Sequence, residues 1–475
     1  MIDYLQKIVF VNFIFLLSST VSAQVEANYW THQYGSKGLL LNGAVIASPD
    51  GETSAFYNPG AIGMDDELGF LFSFVTPTYS DLTTRNILGT GSLIRDRGFD
   101  FAPGFFGLRL RPFKNKKITI ALSNFKRFDS SIRLDDRAIS KIKGSQNLLS
   151  RIDLDFKRKI SESWRGVGIS YMLNKNIGIG LSQFSVWHKD QFDIEIASEI
   201  ISEDMPNLLS QYLRTQSSYR FNLSSAFVSK LGLSYKTDKL CLGMTYTSPL
   251  YGAIHKTASY KLEYQLVDNV NDISSTSSNR NNTSDIIYKS PHSLGFGFDI
   301  HRDATSISFS TEYFFGIKKY SILDELDDSF DSLSPISNET LFKVESENDP
   351  VINFAVGVQT NLSAKTILVF GFRTDFSPNN TLGINDNPDY LGIAGDIYHF
   401  SGGNMINFKN NQFSCGFDIG FAKRNDGNQI INFDAVSQET FPDFGGLDNV
   451  TNRFRSFMIF VTYDFIFDRF KNDEK

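Results

Sequence analysis

Apolar and polar residues alternate with a period of two through most of the chain after residue 67. The last such segment, 456–468, places aromatic and aliphatic residues at odd positions, with Thr462 and Asp464 among the even ones. Successive residues of a strand face opposite sides, so the pattern predicts strands with one apolar and one polar face. Three further segments show this alternation with glycine or serine on the polar face: 166–173, 294–300 and 413–421.

Short and long polar connections alternate between these predicted strands. The short connections are 114–116, 174–176, 236–238, 301–303, 361–364 and 409–411. The long connections are 79–102, 128–149, 199–218, 268–284, 317–349, 377–394 and 425–452. Six short turns and seven long loops require fourteen strands, with both termini on the short-turn side. The sequence therefore predicts an all-β fold, a transmembrane antiparallel β-barrel over residues 68–468, followed by a short polar tail over 469–475.

The first residues have the pattern of a cleaved export signal. An apolar stretch at Ile8–Leu17 follows Lys7 and is followed by Val21-Ser22-Ala23. This stretch is too short to span a bilayer, so we expect a signal peptide over residues 1–23, cleaved after Ala23. Export and a barrel together predict a location in the cell outer membrane. No cysteine follows the cleavage site, so attachment of a lipid there is not expected.

Residues 24–67 precede the first predicted strand and are rich in glycine and short apolar runs. A segment of this size cannot form a core of its own. The lumen of a fourteen-strand barrel is too wide for strand side chains alone to fill. We therefore predict that residues 24–67 form a plug inside the barrel. In the third long loop, the apolar residues of Ser198–Leu213 predict an amphipathic helix.

Composition excludes several protein classes. Hydrophobic residues make up 41% of the chain and aromatic residues 14%, but no run of eighteen apolar residues follows the signal peptide, which excludes a helical membrane protein. The formal net charge of −7 argues against binding of nucleic acid, which needs a basic surface. Cys241 and Cys415 lie in predicted strands, where small buried or lipid-facing side chains are expected, and a disulfide between them is the alternative.

The stretch Gly43–Ala61 opens with Gly-Ala and ends in Asn58-Pro59-Gly60-Ala61. It resembles the hatch region of the FadL-type outer-membrane transporters of long-chain fatty acids and aromatic hydrocarbons, in which Gly-Ala and an aspartate precede Ala-x-x-Asn-Pro-Ala. Gly60 stands where that family usually has alanine. Proline fixes φ and holds the preceding residue extended, so Asn58 and Pro59 predict a rigid elbow, with an ordinary tight turn as the alternative.

The resemblance implies a barrel plugged by its own N-terminus, with an external groove and an internal pocket through which a hydrophobic small molecule passes without energy coupling. It implies no cofactor. An outer-membrane location implies contact with membrane lipid and lipopolysaccharide, and with the outer-membrane assembly machinery, which would recognise Phe467 or Phe470 near the chain end.

Two predicted strands present arginine residues to the lumen. Alternation places Leu108 and Leu110 outward, which leaves Arg109 and Arg111 inward, and the same rule places Arg373 inward. An acidic ligand needs an apolar pocket and one or two cations for its head group, so the three arginines are candidate ligand-binding residues. The alternative is that they pair with carboxylates of the lumen or contact the plug.

An enzymatic interpretation depends on His399 and Ser401, which share one face of a predicted strand. The pair resembles the His-x-Ser pattern of outer-membrane phospholipases and lipid A deacylases, in which histidine activates serine. Those families continue with asparagine, whereas two glycines precede Asn404 here. The other histidines show no metal-ligand spacing. The sequence therefore favours a non-enzymatic transporter of hydrophobic molecules such as long-chain fatty acids, with an accessory barrel of protein secretion and a lipid hydrolase as alternatives.

Overall fold

A computed structural model gives the fold of part of the chain. It describes residues 28–65, 68–73, 76–88, 91–102, 104–113, 117–141, 147–204, 209–269, 272–283, 286–322, 345–378, 395–408, 411–428 and 448–466. The predicted signal peptide and C-terminal tail lie outside these residues. Over the described ranges, no helix combines the length and the apolarity needed to cross a membrane.

Fourteen antiparallel strands, counted over the described residues, form one sheet. In chain order they are β1 (Gly69–Ser73 and Thr76–Arg85), β2 (Leu93–Ala102 and Phe105–Leu110), β3 (Ile118–Lys141), β4 (Leu148–Met172), β5 (Ile177–Ser202), β6 (Leu209–Lys236), β7 (Leu240–Thr247 and His255–Asp268), β8 (Ile273–Thr283 and Ser293–Arg302), β9 (Thr305–Phe314), β10 (Val351–Asn361), β11 (Thr366–Asp375), β12 (Ile397–Phe408), β13 (Asn411–Asn428) and β14 (Asp448–Ile466). Beyond β9 and β10, Ile317–Ser321 and Glu345–Asn348 form a separate two-stranded sheet.

Pairing between the first and last strands closes the sheet. Each strand pairs with its neighbours in sequence, and β1 pairs with β14, with Gly69 opposite Ile466 and Ser73 opposite Thr462. A closed sheet has no edge strand, so the backbone groups of the wall find their partners within the wall. The predicted antiparallel barrel of fourteen strands is confirmed.

The two faces of the wall differ as the alternation predicts. On β13, Phe417, Ile419 and Phe421 are 38–44% exposed, whereas Ser414 and Asp418 are buried. The same division holds on β14, β4 and β8. The outer face is therefore apolar and the inner face carries polar and small residues, as the period of two requires.

Several segments that the sequence analysis assigns to long loops are strands instead. Residues 79–85 and 93–102 belong to β1 and β2, and most of 128–149 belongs to β3 and β4. The predicted helix over Ser198–Leu213 is wrong: its first residues end β5 and its last residues begin β6. These extensions look loop-like in sequence because charged residues such as Arg214 and Glu195 pair across neighbouring strands on one face, while Ile196 and Ile200 are buried on the other.

The predicted short turns fall at one end of the barrel. Residues 173–176, 237–239, 303–304 and 362–365 each connect two consecutive strands, within one or two residues of the predicted positions. The predicted long loops 317–349, 377–394 and 425–452 lie largely outside the described residues. The barrel wall is tallest at β3–β6, whose strands contain 24 to 28 residues each.

The two cysteines lie on different wall strands and are both free. Cys241 is buried on β7, and Cys415 is partly exposed on β13. The alternative of a disulfide between them is wrong.

Candidate functional site

The N-terminal segment, residues 28–65, is enclosed by the barrel. Its side-chain hydrogen bonds reach strands all around the wall, including Ser36 Oγ to Thr462 Oγ1 of β14 at 2.6 Å and Ile46 N to Ser310 Oγ of β9 at 3.0 Å. Asn58 Nδ2 donates to the carbonyl of Leu233 on β6 at 3.1 Å. A segment that contacts opposite sides of a closed sheet lies within its bore.

Local sequence explains the compact course of this segment. The short helices α1 (Gly35–Leu40) and α2 (Ser54–Tyr57) are separated by a reversal at Asn42 and Gly43, whose φ angles are 55° and 86°. Asparagine and glycine tolerate this left-handed region better than other residues do. The segment therefore folds back on itself inside the bore without a long connection.

The Asn58-Pro59-Gly60-Ala61 motif forms the predicted elbow. Pro59–Ala61 is a short 3₁₀ helix, and the side chain of Asn58 accepts a hydrogen bond from Gly60 N at 3.0 Å. Asn58 Nδ2 also donates to the carbonyl of Ile46 at 2.9 Å. Asn58 is fully buried, so one side chain joins the motif, the preceding part of the segment and the wall.

Glycines of the wall face this elbow. A Cβ atom added to Gly180 of β5 would overlap the carbonyl of Pro59, and one added to Gly232 of β6 would overlap the side chain of Asn58. A Cβ on Gly60 itself would come within 2.8 Å of a backbone nitrogen of β6. The segment and the wall thus touch through their backbones, and glycine is required because any side chain would separate them.

Two of the candidate ligand-binding arginines contact the N-terminal segment. Arg109 is 3% exposed and forms an ion pair with Glu52, with 3.7 Å between Nε and Oε1. Arg111 donates through Nη2 to the backbone carbonyl of Asp65 at 2.6 Å. Both side chains point inward, as the alternation on β2 predicts.

Arg373, the third candidate, lies on β11 and also contacts the segment. Its guanidinium donates to the side chain of Asn42 and to the carbonyl of Thr31, the latter at 2.9 Å, and lies 3.4 Å from Asp418. The three arginines lie on different parts of the wall and do not come together at one site. Each binds the segment, which matches the alternative interpretation in the sequence analysis.

A pocket lies between the N-terminal segment and strands β3, β4 and β6 to β9. Its cavity volume is about 40 Å³. Its lining combines large aromatic rings with a few polar groups, the usual composition of a small-molecule site. Its lining residues include Phe56, Trp164, Arg127, Lys230, Glu312 and His32.

A cluster of aromatic rings lies beside this pocket, and two of its members, Phe56 and Trp164, line it. Phe56 of the segment packs against Phe125 of β3 with 4.9 Å between ring centroids, and Phe125 packs against Trp164 of β4 at 6.0 Å. Tyr34 packs against Phe125 at 4.7 Å. Edge and tilted ring contacts of this kind give a rigid apolar surface contributed by both the segment and the wall.

Arg127 reaches the pocket because β3 is irregular at this point. The register of β3 against β4 shifts between Lys126 and Phe128, which leaves Arg127 as an extra residue. Such a bulge redirects a side chain, and the guanidinium lies 4.8 Å from the ring centroid of Trp164 and 3.5 Å from the carboxylate of Glu162. Alternation alone could not identify Arg127, because a bulge reverses the face of every later residue.

Lys230 of β6 brings a second cation into the pocket. The side chain is buried, with 6% exposure, and its ammonium lies 5.3 Å from the ring centroid of Phe56. Within the described ranges it has no salt bridge and no hydrogen-bond acceptor. Sequence reasoning missed this residue, although alternation on β6 places it on the inward face with Gly232 and Ser234.

His32 and Glu312 complete the polar part of the lining. Glu312 accepts hydrogen bonds from Trp30 Nε1 at 2.8 Å and from Ser293 Oγ at 2.5 Å. Nε2 of His32 is buried without a hydrogen-bond partner. Burial lowers the pKa of His32 to about 4, so its imidazole is neutral at pH 7.

The His399 and Ser401 pair does not form a nucleophile with its activating base. Ser401 Oγ donates to the carbonyl of Leu40 at 2.8 Å, and His399 Nδ1 is hydrogen-bonded to Asp418 at 2.9 Å. Both side chains are buried beneath the N-terminal segment. In the part of the chain that the structure describes, no group of three or more metal-binding side chains comes together either.

The glycine contacts predict a specific sensitivity to small substitutions. We expect Gly180→Ala to lower the free energy of unfolding by about 1–3 kcal/mol, because the added methyl group meets the backbone at Pro59. Gly395→Ala is the control, since the nearest atom to its Cβ would be 3.6 Å away. Urea titration of the refolded protein, followed by the shift between folded and unfolded bands on gels, measures both. Equal stability of the two variants would contradict the packing described here.

The pKa of His32 predicts a dependence of stability on pH. Since this pKa is about 4 in the folded state and ordinarily 6.5, the unfolded chain binds a proton more readily between these values. The contribution of neutral His32 to the free energy of unfolding is complete above pH 6.5 and is lost as the pH falls through about 4. We expect His32→Gln to lose less stability than the wild type over this range in urea titrations, and the exposed His255→Gln to behave as the wild type. Parallel losses in all three proteins would disprove the assignment.

The fold of this chain is similar to the folds of several solved structures. No family model and no curated protein matches the chain. The Pseudomonas putida toluene transporter TodX is similar over 91% of this chain and 98% of its own, with a TM-score of 0.57 and 12% sequence identity. A FadL homologue of Pseudomonas aeruginosa is similar over 92% of this chain and 99% of its own, with a TM-score of 0.56 and 12% identity. At this level of identity the similarity concerns the fold, and the chain has the fold of the FadL-type β-barrels.

Proposed function

We propose that this chain is an outer-membrane channel for the passive uptake of hydrophobic small molecules. The pocket between the N-terminal segment and the wall is the observation that carries the proposal. An apolar outer face and a closed ladder of backbone hydrogen bonds suit a wall surrounded by lipid. The fold shared with a toluene transporter and a FadL homologue supports the same conclusion.

The proposed ligand is an apolar molecule with an acidic head group, such as a long-chain fatty acid, and the chemistry of the pocket lining supports this proposal. The rings of Phe56 and Trp164 provide the apolar surface. The buried ammonium of Lys230 forms no salt bridge with a described residue, although the Glu312 carboxylate is near enough to attract it, and an incompletely paired buried charge is costly. A ligand carboxylate would supply a direct partner, with Arg127 close enough to the same rings to contribute.

The N-terminal segment serves as a gate in this proposal. In the proposed closed state it blocks the bore between the pocket and the short-turn end, so that a ligand reaches that end only after the segment shifts. For Arg109, Arg111 and Arg373 we propose the role of holding the segment in its closed position rather than binding the ligand. Ion pairs and charge-assisted hydrogen bonds to the segment give these residues that capacity.

The role of Lys230 is testable by binding. We expect Lys230→Met to weaken the binding of palmitate by about tenfold to a hundredfold, the value of one hydrogen bond to a charged group, and to leave the binding of toluene within about twofold. Quenching of the tryptophan fluorescence measures both, because Trp30 and Trp164 line the pocket.

The control for this prediction is Lys423→Met, which removes an exposed lysine on β13. It should bind palmitate as the wild type does. Wild-type affinity of Lys230→Met for palmitate would remove the proposed head-group site, while loss of toluene binding as well would indicate damage to the pocket.

Movement of the segment is testable with a reversible lock. Ser36 Oγ and Thr462 Oγ1 are 2.6 Å apart, so Ser36→Cys with Thr462→Cys can form a disulfide between segment and wall when Cys241 and Cys415 are first replaced by serine. We expect oxidation to abolish uptake of a labelled long-chain fatty acid by cells, and dithiothreitol to restore it.

A matched pair controls for cross-linking itself. Thr305 and Thr360 lie on neighbouring wall strands with 3.0 Å between their hydroxyl oxygens, so Thr305→Cys with Thr360→Cys ties together strands that are already paired. This pair should not alter uptake in either state. Unchanged uptake in the oxidised Ser36→Cys, Thr462→Cys protein would contradict the gate and leave the pocket proposal intact.

A further inference from the structure

The short connections at one end of the barrel carry exposed basic residues. Lys175 lies between β4 and β5, Lys239 between β6 and β7, Arg302 at the end of β8, and Lys365 between β10 and β11. Alternate connections of an up-and-down barrel lie at one end, so these residues share one rim, called here the basic rim. All four are exposed, and none forms a salt bridge with another described residue.

Apolar side chains on the outer face adjoin the basic rim. Tyr171 and Leu173 at the end of β4 are 40% and 50% exposed, and Leu362 beside Lys365 is 61% exposed. Tyr235 at the end of β6 is 37% exposed. Aromatic rings and long basic side chains at the edge of an apolar band are suited to the boundary between hydrocarbon and lipid head groups.

Acidic and basic residues are divided unequally between the short and the long connections of the barrel. The chain as a whole carries a formal charge of −7, and its long connections hold many of the acidic residues. Asp238 and Asp303 are the acidic residues on the described turns of the rim, and they only partly offset its four cations. The acidic residues in long connections include Asp324, Glu325, Asp327, Asp328, Asp331, Asp386, Asp389, Asp434 and Glu439.

We propose that the basic rim binds the head groups of anionic phospholipids in the adjoining leaflet of the membrane. The inference rests on the proposed membrane location but not on the transported ligand. Each of the four rim residues lies at the level where the apolar band of the outer face ends. In this position its charge lies beside the phosphates of the neighbouring lipids. The apolar residues next to them hold that position by remaining in the hydrocarbon.

The strength of this interaction follows from simple electrostatics. A basic residue at an anionic lipid surface contributes about 1 kcal/mol, which corresponds to roughly a fivefold preference for each residue. The attraction acts between exposed groups and is therefore screened by salt. A preference for anionic over zwitterionic lipid that declines with ionic strength is the expected signature.

The test compares lipids retained by the folded protein. Wild-type protein in detergent is given equal amounts of phosphatidylglycerol and phosphatidylcholine, and native mass spectrometry counts the molecules of each that stay bound. We expect the wild type to retain phosphatidylglycerol in at least about a fivefold excess. A variant with Lys175→Gln, Lys239→Gln, Arg302→Gln and Lys365→Gln should retain the two lipids equally.

A second variant controls for the total charge of the protein. Lys157→Gln, Lys159→Gln, Lys189→Gln and Lys423→Gln remove four exposed lysines from parts of β4, β5 and β13 far from the short turns. It should keep the wild-type preference. Equal retention of the two lipids by the wild type, or an unchanged preference in the rim variant, would overturn the inference. Lipid preference without uptake of either a fatty acid or toluene would instead overturn the proposed function alone.

Discussion

A closed β-sheet satisfies its backbone N–H and C=O groups within itself, and this chain closes its sheet by pairing its first strand with its last. Closing fourteen strands creates a bore that the wall side chains cannot fill. The N-terminal segment fills it, and the glycines of β5 and β6 follow from the same constraint. They let one backbone lie directly against another where the elbow at Pro59 meets the wall.

Many charged side chains face the interior of the barrel, away from bulk water, and most of those described above form ion pairs. Arg109 has Glu52, and Arg373 has Asp418 together with acceptors in the segment. Lys230 differs, because it forms no salt bridge with a described residue and its ammonium lies against the ring of Phe56. This difference is the reason for proposing Lys230, rather than Arg109 or Arg373, as the partner of a ligand's head group.

Much of the fold could be predicted from the sequence because its determinants are local and repeated. Strand faces follow from a period of two, and strand number follows from the alternation of turns. Strand length could not be predicted, since beyond the apolar band both the loops and the outer face of β3–β6 are polar. Arg127 was hidden by a bulge, which the pattern does not reveal. The partners of Arg109, Arg111 and Arg373 depend on where the segment folds, and that is a matter of tertiary packing.

The order of strands along the wall has a consequence for how the protein assembles. All neighbouring strands are also neighbours in sequence, except β1 and β14, which are separated by nearly the whole barrel. Hairpins with short loop closure form early, whereas contacts between distant parts of a chain form late. We therefore expect the seam between β1 and β14 to form last. Because Ser36 of the N-terminal segment bonds to β14 beside that seam, closure of the wall would also fix the N-terminal segment in its place.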